Sequence, residues 1–387
     1  MESEIIKASG YDVLYLASCA LCGKTPKSEI VKKINLSDVR KICRFQSVSA
    51  LVYSAMQSAD NQEIKEDESF RMLANERLSL IRRQDLLDEE RKSVLDFLEK
   101  NKIWYLPLKG VIIKDFYPNP FLREMSDNDI LYDSDYTEKV SEFFVNRGYE
   151  KFVDDDGKDE CYIKPPVYNF EMHRELFEDL YPEYKRYYSD VKNKLIKDSD
   201  NAYGYHLSDE DFYIYMTAHA CKHYNISGTG IRGLFDTYVF LTRKDNLNWR
   251  YINEEIKKLG ISKFEKINRS LCMKIPSFFS EHKFYTLNDD EEYLLKSMLY
   301  AGAYGSGDNI LRNQVIAFGD KPEVSFRSKV KYFFSRLFPS YFFMHSSYPY
   351  VVRNRLMMPF GYIYRIVKVG IQHRKSIIKE IKKVFYM

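Results

Sequence analysis

Residues 103–132, IWYLPLKGVIIKDFYPNPFLREMSDNDILY, and the later run NFEMH at 169–173 decide how this chain folds and what chemistry it can carry. Residues 103–108 form a short apolar run closed by Lys109-Gly110, which predicts a buried strand and a turn. Residues 129–132 (DILY) predict a second strand. Between them a short helix is expected over 111–116 and a loop at 117–120, YPNP. In extended backbone residues i and i+2 point to the same side, so Asp127 and Asp129 present two carboxylates on one face while Ile130 turns into the core. Glu171 and His173 share a face by the same rule. If the Glu171 strand lies beside the Asp129 strand, three carboxylates converge.

Outward from this centre the pattern is helical on both sides. Residues 11–59 have helical apolar spacing, with Ser37 as an expected N-cap and Gly23 as a stop. Residues 66–101 run without Pro or Gly through apolar positions spaced for one long amphipathic helix. After the second strand a helix is expected over 135–147, ended by Gly148. Strands follow at 149–153, 161–164 and 167–173, with turns at 154–157 (DDDG) and Pro165-Pro166. From Ser208, the first residue of a capping box with Asp211, helices resume. The expected class is α+β: a small mixed sheet flanked by helical regions. The expected division is a helical region 1–101, a sheet core 102–207, a helical domain 208–320 and a basic aromatic tail 321–387.

The chain's 45% hydrophobic and 30% charged residues fit a folded protein, and 32 Tyr with 26 Phe supply ample material for a core. The first residues carry acids and no apolar run, which predicts a cytoplasmic protein with free thiols. Cys19 and Cys22 have the spacing of half a zinc site, but no second pair of suitable spacing follows. Net charge is +3, yet residues 321–387 carry 14 Lys/Arg against Glu323 and Glu380, a net +12, which leaves −9 for residues 1–320 (45 basic against 54 acidic). Within that tail, residues 337–352 are uncharged but interrupted by Pro339 and Pro349, too short and broken to cross a bilayer. Two readings remain for the tail: it lies on an anionic membrane surface, or its aromatics pack on the protein's own helices.

Carboxylates held together repel unless a cation or proton is shared, and hard oxygen ligands suit Mg²⁺. Attack of a hydroxyl on a nucleotide α-phosphate needs such a site, one metal activating the hydroxyl and a second neutralising the pyrophosphate. The glycine turn would offer backbone N–H groups to the triphosphate. Asp-x-Asp at a loop-to-strand junction is more often a plain turn or cap, but Lys109-Gly110 before it and Glu171 after it favour the catalytic reading. Crowding further predicts that neutralising either Asp127 or Asp129 relieves strain in the metal-free protein.

The run LPLKG-x6-YPNPFLREMSDNDILY, then a helix, GYE and NFEMHREL, resembles a bacterial family described as uncharacterised nucleotidyltransferases, within the polymerase-β-like superfamily. The segment 337–368 is similar to one in family members found with polysaccharide-biosynthesis genes. The resemblance covers most of the chain, with specific motifs in 103–175. It implies a nucleotidyltransferase fold with Asp127, Asp129 and Glu171 as catalytic acids and ligands of two Mg²⁺ ions. Lys109, Gly110, Arg123 and His173 are assigned to the nucleotide. Lys109-Gly110 stands where Gly-Ser is usual in the superfamily, so a serine contact to phosphate is lost. Lys109 either replaces it with charge or pairs with an acid at the surface, and Arg123 either clamps phosphate or is a solvated loop side chain.

His219 and His223 have the i, i+4 spacing of zinc ligands, but Ala220 stands where a zinc protease needs Glu, so a packed or substrate-facing pair is expected. Arg232 and Asp236 are spaced for a helical ion pair or for lining the cleft. The glycines at 302, 305 and 307 follow a helical pattern rather than a strand and read as a connection. Three functions compete: transfer of a nucleoside monophosphate from an NTP to a hydroxyl of a sugar, small metabolite or protein; a silent nucleotide-binding protein; and an RNA-modifying, toxin-like enzyme. The complete acid set argues against the second. The acidic body, lacking any nucleic-acid motif, argues against the third.

Overall fold

The computed structural model describes residues 3–59, 61–153, 160–177, 181–281, 286–305 and 324–338, and beyond these 311, 315, 344, 348, 351–352, 354–372 and 374–386. The expected turn at 154–157 and most of 337–352 lie outside these residues. The chain forms two compact units, Met1–Lys222 with Thr229–Ala303, and His223–Gly228 with Tyr304–Met387.

The first unit begins with helices α1 (Ser3–Leu21), α2 (Leu36–Gln46), α3 (Ser49–Ser58) and the long α4 (Glu68–Lys100). Helix α1 stops before Gly23, whose φ of 62° places it in the left-handed region. Helix α2 is capped by Asn35, which accepts from the Asp38 N–H at 3.1 Å. The cap therefore falls two residues before the expected Ser37, because the Asn35 side chain takes the N–H of the third helical residue, Asp38. Asp67 caps α4, which buries Phe70, Leu73, Leu87, Val94 and Leu98 along one stripe.

The sheet follows: β1 (Tyr105–Pro107), a one-turn helix α5 (Gly110–Ile113), β2 (Asn128–Tyr132), α6 (Thr137–Asn146), β3 (Glu150–Val153), β4 (Glu160–Lys164) and β5 (Tyr168–His173). Its order is β1-β2-β5-β4-β3. Strands β2 and β5 are parallel, and the other neighbours are antiparallel. This is the expected mixed sheet of an α+β fold. On one face Ile130, Tyr132, Tyr162, Phe170 and Met172 meet Val94 and Leu98 of α4 and Val140 and Phe144 of α6. Each such buried side chain contributes roughly 1.5–3 kcal/mol. Phe144 stacks on Tyr162 at 4.2 Å between ring centroids.

Helices α7 (Asp209–Ile226), α8 (Ile231–Arg243), α9 (Trp249–Lys258), α10 (Ser262–Cys272) and α11 (Asp289–Ala301) follow the sheet. Ser208 opens α7 as expected, its Oγ accepting from the Asp211 N–H at 3.1 Å. In the second unit the helices Phe326–Leu337, Met358–Gln372 and Arg374–Phe385 are described. Its small core joins Leu311, Val315, Tyr332 and Val384.

Candidate active site

The sheet face opposite the core carries the polar residues. Cα pairing sets Asp129 directly opposite Glu171 and Leu131 opposite His173, so the parallel β2–β5 pair brings together residues far apart in sequence. One donor atom each from Asp129, Glu171 and His173 lies within 4.8 Å of the other two. His173 Nε2 is 2.9 Å from Asp129 Oδ1 and 3.8 Å from Glu171 Oε2. Asp127, the residue before β2, is partly buried and lies outside that ligand group, although the Asp129 charge acts on it.

Lys109 completes the cluster. The Leu108 N–H still donates to the Asp129 carbonyl at 2.9 Å, and the chain then turns through Lys109 at φ 49°, ψ −110°. A side chain in that region costs about 1–3 kcal/mol and persists where its surroundings hold it. Here Lys109 Nζ reaches Asp129 Oδ1 at 3.0 Å. The ion pair is with a buried acid of the cluster and not with one at the surface.

The acids differ in protonation. Burial pushes the Asp129 carboxyl up, but the Lys109 ammonium and the bond to His173 outweigh it and hold Asp129 well below the usual carboxylate range. Burial and then the Asp129 charge raise Asp127. Burial followed by the charges of Asp129 and Asp127 pushes Glu171 up to about 7. The cluster is thus short of positive charge even with Lys109 present. Two carboxylates and an imidazole in that condition fit a divalent cation.

The loop that delivers Asp127 is held from behind by one face of α4. Arg83 Nη2 donates to the Ser126 carbonyl at 3.0 Å, Asn128 Nδ2 to the Leu87 carbonyl at 3.2 Å, and Arg91 Nη1 to Asn128 Oδ1 at 3.0 Å. Residues 83, 87 and 91 recur every four positions, a helical signal that points to a supporting face once the long helix is recognised. These supports were missed in the sequence.

Neither alternative for Arg123 describes what is found. Its Nε and Nη2 meet Asp236 Oδ1 and Oδ2 at 2.8 and 2.9 Å, and the Tyr117 hydroxyl donates to the same carboxylate at 2.8 Å. Arg123 is buried and ties the loop to α8, a positioning role. A Cβ on Gly110 would stand 2.6 Å from Arg123 Nη1 and 2.9 Å from Met125 Cε. The glycine makes room for that guanidinium. Arg232, expected to pair with Asp236, donates to the Glu124 carbonyl at 3.3 Å, and its charge is felt at Asp127.

Helix α7 adds buried Tyr215 near Lys109, and His219, whose ring centroid is 6.2 Å from that of Tyr215. Cys19 is buried in α1, and Cys22 Sγ lies 3.5 Å from the Tyr238 hydroxyl.

A mixed sheet that sets acids side by side on neighbouring strands, backed by a long helix, defines an α+β protein in which Asp129, Glu171 and His173 could hold a metal ion. The family model described as uncharacterised nucleotidyltransferase matches residues 32–275, spanning both the supporting helices and the acid cluster. The chain belongs to that nucleotidyltransferase family. No curated protein and no solved structure matches it.

Proposed function

We propose that the protein transfers a nucleoside monophosphate from an NTP to a hydroxyl of an acceptor, with Asp127, Asp129 and Glu171 holding two Mg²⁺ ions. The observation that carries this is the register of β2 on β5, which sets Asp129 opposite Glu171, with Asp127 two residues before Asp129 and close enough for its charge to act on Glu171. His173, bonded to Asp129, either orients that carboxylate or joins the ligand set. When bound, the cations supply positive charge to the triphosphate and lower the pKa of the attacking hydroxyl.

The chain's own residues do the rest by positioning and charge. Lys109 and Arg232 place positive charge beside the acids for the phosphates. Arg123, Arg83 and Arg91 hold the loop so that Asp127 stays in place. Glu171 is the most open of these carboxylates that pair across the strands, its side chain 32% exposed against 8% for Asp129. It orients the acceptor hydroxyl and takes its proton as the oxygen bonds to the α-phosphorus. The bond from the α-phosphorus to the bridging oxygen breaks, and pyrophosphate leaves.

The acceptor is a sugar, a small metabolite or a protein. A connection with polysaccharide biosynthesis rests on the similarity of residues 337–368, and a cytoplasmic location suits an NTP-consuming enzyme. Contact of the tail with an anionic membrane is supported by its charge of +12 and by helix Met358–Gln372. There Phe360, Ile363, Tyr364 and Val367 are all exposed at spacings of one helical face. No helix among the described residues is long and apolar enough to cross a membrane.

The experiment is transfer of α-labelled NTP. Purified protein with Mg²⁺ and each NTP is added to a cell metabolite pool, bulk RNA, or nothing. Mg²⁺-dependent labelling of the metabolite pool or of the protein is the expected result. Labelling of RNA alone would move the protein to the toxin-like class.

A further inference from the structure

The sheet face that carries the acids does not end at Glu171. Cross-strand register continues the row from Asp129 and Glu171 through Cys161 on β4 to Phe152 on β3. Beside it runs a second row, Asn169, Ile163 and Glu150. Directly paired residues share a face, so these side chains lie on the side of the sheet away from α6 and the core. Phe152 is 49% exposed and Ile163 41%, and Cys161, between Phe152 and Glu171 in the row, is half-buried. Neighbouring strands are about 5 Å apart, which puts Phe152 about 10 Å from Glu171.

The basic residues of these two strands are turned the other way. Lys151 pairs across from Tyr162, its Nζ 2.8 Å from Glu160 Oε1 and 5.9 Å from the Tyr162 ring centroid, and Lys164 Nζ donates to the Arg147 carbonyl at 2.8 Å. On the acid face β3 and β4 present Phe152, Ile163 and Cys161 together with the exposed Glu150. An anion there would meet Glu150 and Glu171 and no cation of these strands. An uncharged molecule with one apolar face would instead cover Phe152 and Ile163. Strand order also separates this surface from the phosphate side, since Lys109 follows β1 and pairs with Asp129 of β2, on the opposite flank of β5 from β4 and β3. Displacement at the α-phosphorus sets attacking and leaving oxygens roughly in line on opposite sides. With the leaving pyrophosphate drawn to Lys109, the attacking hydroxyl comes from the β4 side of Glu171.

We infer that the exposed β4–β3 surface is the acceptor site and that the acceptor is an uncharged sugar, its C–H face on Phe152 and Ile163 and a hydroxyl of its rim at Glu171. A sugar ring has both features the surface asks for, C–H groups across its faces and hydroxyls around its edge. The inference rests on the nucleotidyl-transfer reading above and gives its acceptor a class. The rim hydroxyl oxygen bonds to the α-phosphorus, its proton passes to the Glu171 carboxylate, and pyrophosphate leaves with the electrons of the broken P–O bond.

The test uses the full chain, Mg²⁺, α-labelled NTP and a cell metabolite pool split by ion exchange into neutral, cationic and anionic fractions. Label is expected in the neutral fraction, and phosphodiesterase treatment of the product should return a sugar. Phe152→Ser and Ile163→Ser, both at exposed positions, should together raise the amount of that fraction needed for half-maximal labelling by about tenfold, the loss expected from removing one large apolar contact. The melting shift with Mg²⁺ and NTP should stay as in the wild type. Labelling carried by the anionic or cationic fraction or by the protein itself, a product that returns no sugar, or labelling indifferent to the two substitutions overturns the acceptor site. So does a wild type that shows the Mg²⁺·NTP shift but labels no neutral compound. Loss of that shift in the double variant, with its ligand-free melting unchanged, gives the surface to the nucleotide and overturns it too. Absence of the shift in the wild type overturns the nucleotidyl-transfer reading, and the acceptor site falls with it.

Discussion

Asp129→Asn should destabilise the metal-free protein, although its neighbour Asp127→Asn should not. Crowding of carboxylates alone predicts that removing either charge helps. The structure divides the two. Asp129 accepts from Lys109 Nζ at 3.0 Å and meets His173 Nε2 at 2.9 Å, and its carboxyl is held far below the usual range. Removing its charge leaves the Lys109 ammonium facing a neutral amide in a site where the lysine side chain is only 21% exposed. Breaking a buried ion pair costs about 3–5 kcal/mol, and the oxygen kept by asparagine together with the partial exposure of Lys109 reduces this to about 2 kcal/mol. For a unit of about 300 residues that corresponds to a Tm lower by about 3–4 °C. Asp127 is raised by burial and by Asp129, so its charged form is disfavoured on folding and Asp127→Asn should melt at or above the wild type. Melting in EDTA measures both. An Asp129→Asn protein as stable as the wild type would refute the view that the Lys109–Asp129 ion pair stabilises the metal-free fold.

Three further outcomes follow from the same physical picture. Glu171 titrates near 7 in the fold against an ordinary 4.5, so the folded state holds the proton more tightly; its contribution to stability is fully present below 4.5 and is lost as pH rises through 7. Denaturant melts in EDTA across that range should show stability falling with pH, a slope that Glu171→Gln reduces. Gly110→Ala drives a methyl group to 2.6 Å from Arg123 Nη1 and strains its pairing with Asp236, which should cost about 1–3 kcal/mol in a thermal melt. Full-length protein should float with anionic but not neutral liposomes, and absence of lipid-dependent binding would remove the membrane reading of the tail.

Much of the fold was legible because its signals are local. The apolar run before Lys109-Gly110, the alternation around Asp129 and Glu171 and the unbroken helix α4 each fall within one segment, and each element forms near its expected place. What the sequence could not supply were pairings between distant segments. Whether β2 and β5 are neighbours, and in which register, depends on the packing of a sheet whose paired residues 129 and 171 are separated by α6 and the β3–β4 hairpin. The same distance hid the fate of Arg123, because its partner Asp236 lies 113 residues away on α8 and looks locally like a partner for Arg232. The contact of His173 with Asp129 was hidden in the same way, since it exists only once the strands pair.

The measurement that tests the central claim most directly is the melting temperature of wild type and Asp127→Asn, titrated with each NTP in Mg²⁺. A ligand bound only by the folded state adds about 2.7 kcal/mol at a hundred times its dissociation constant. The account predicts a rise with at least one NTP in the wild type, dependent on Mg²⁺ and lost in Asp127→Asn. An equal rise in both proteins, or none in either, would contradict an active site built on these carboxylates.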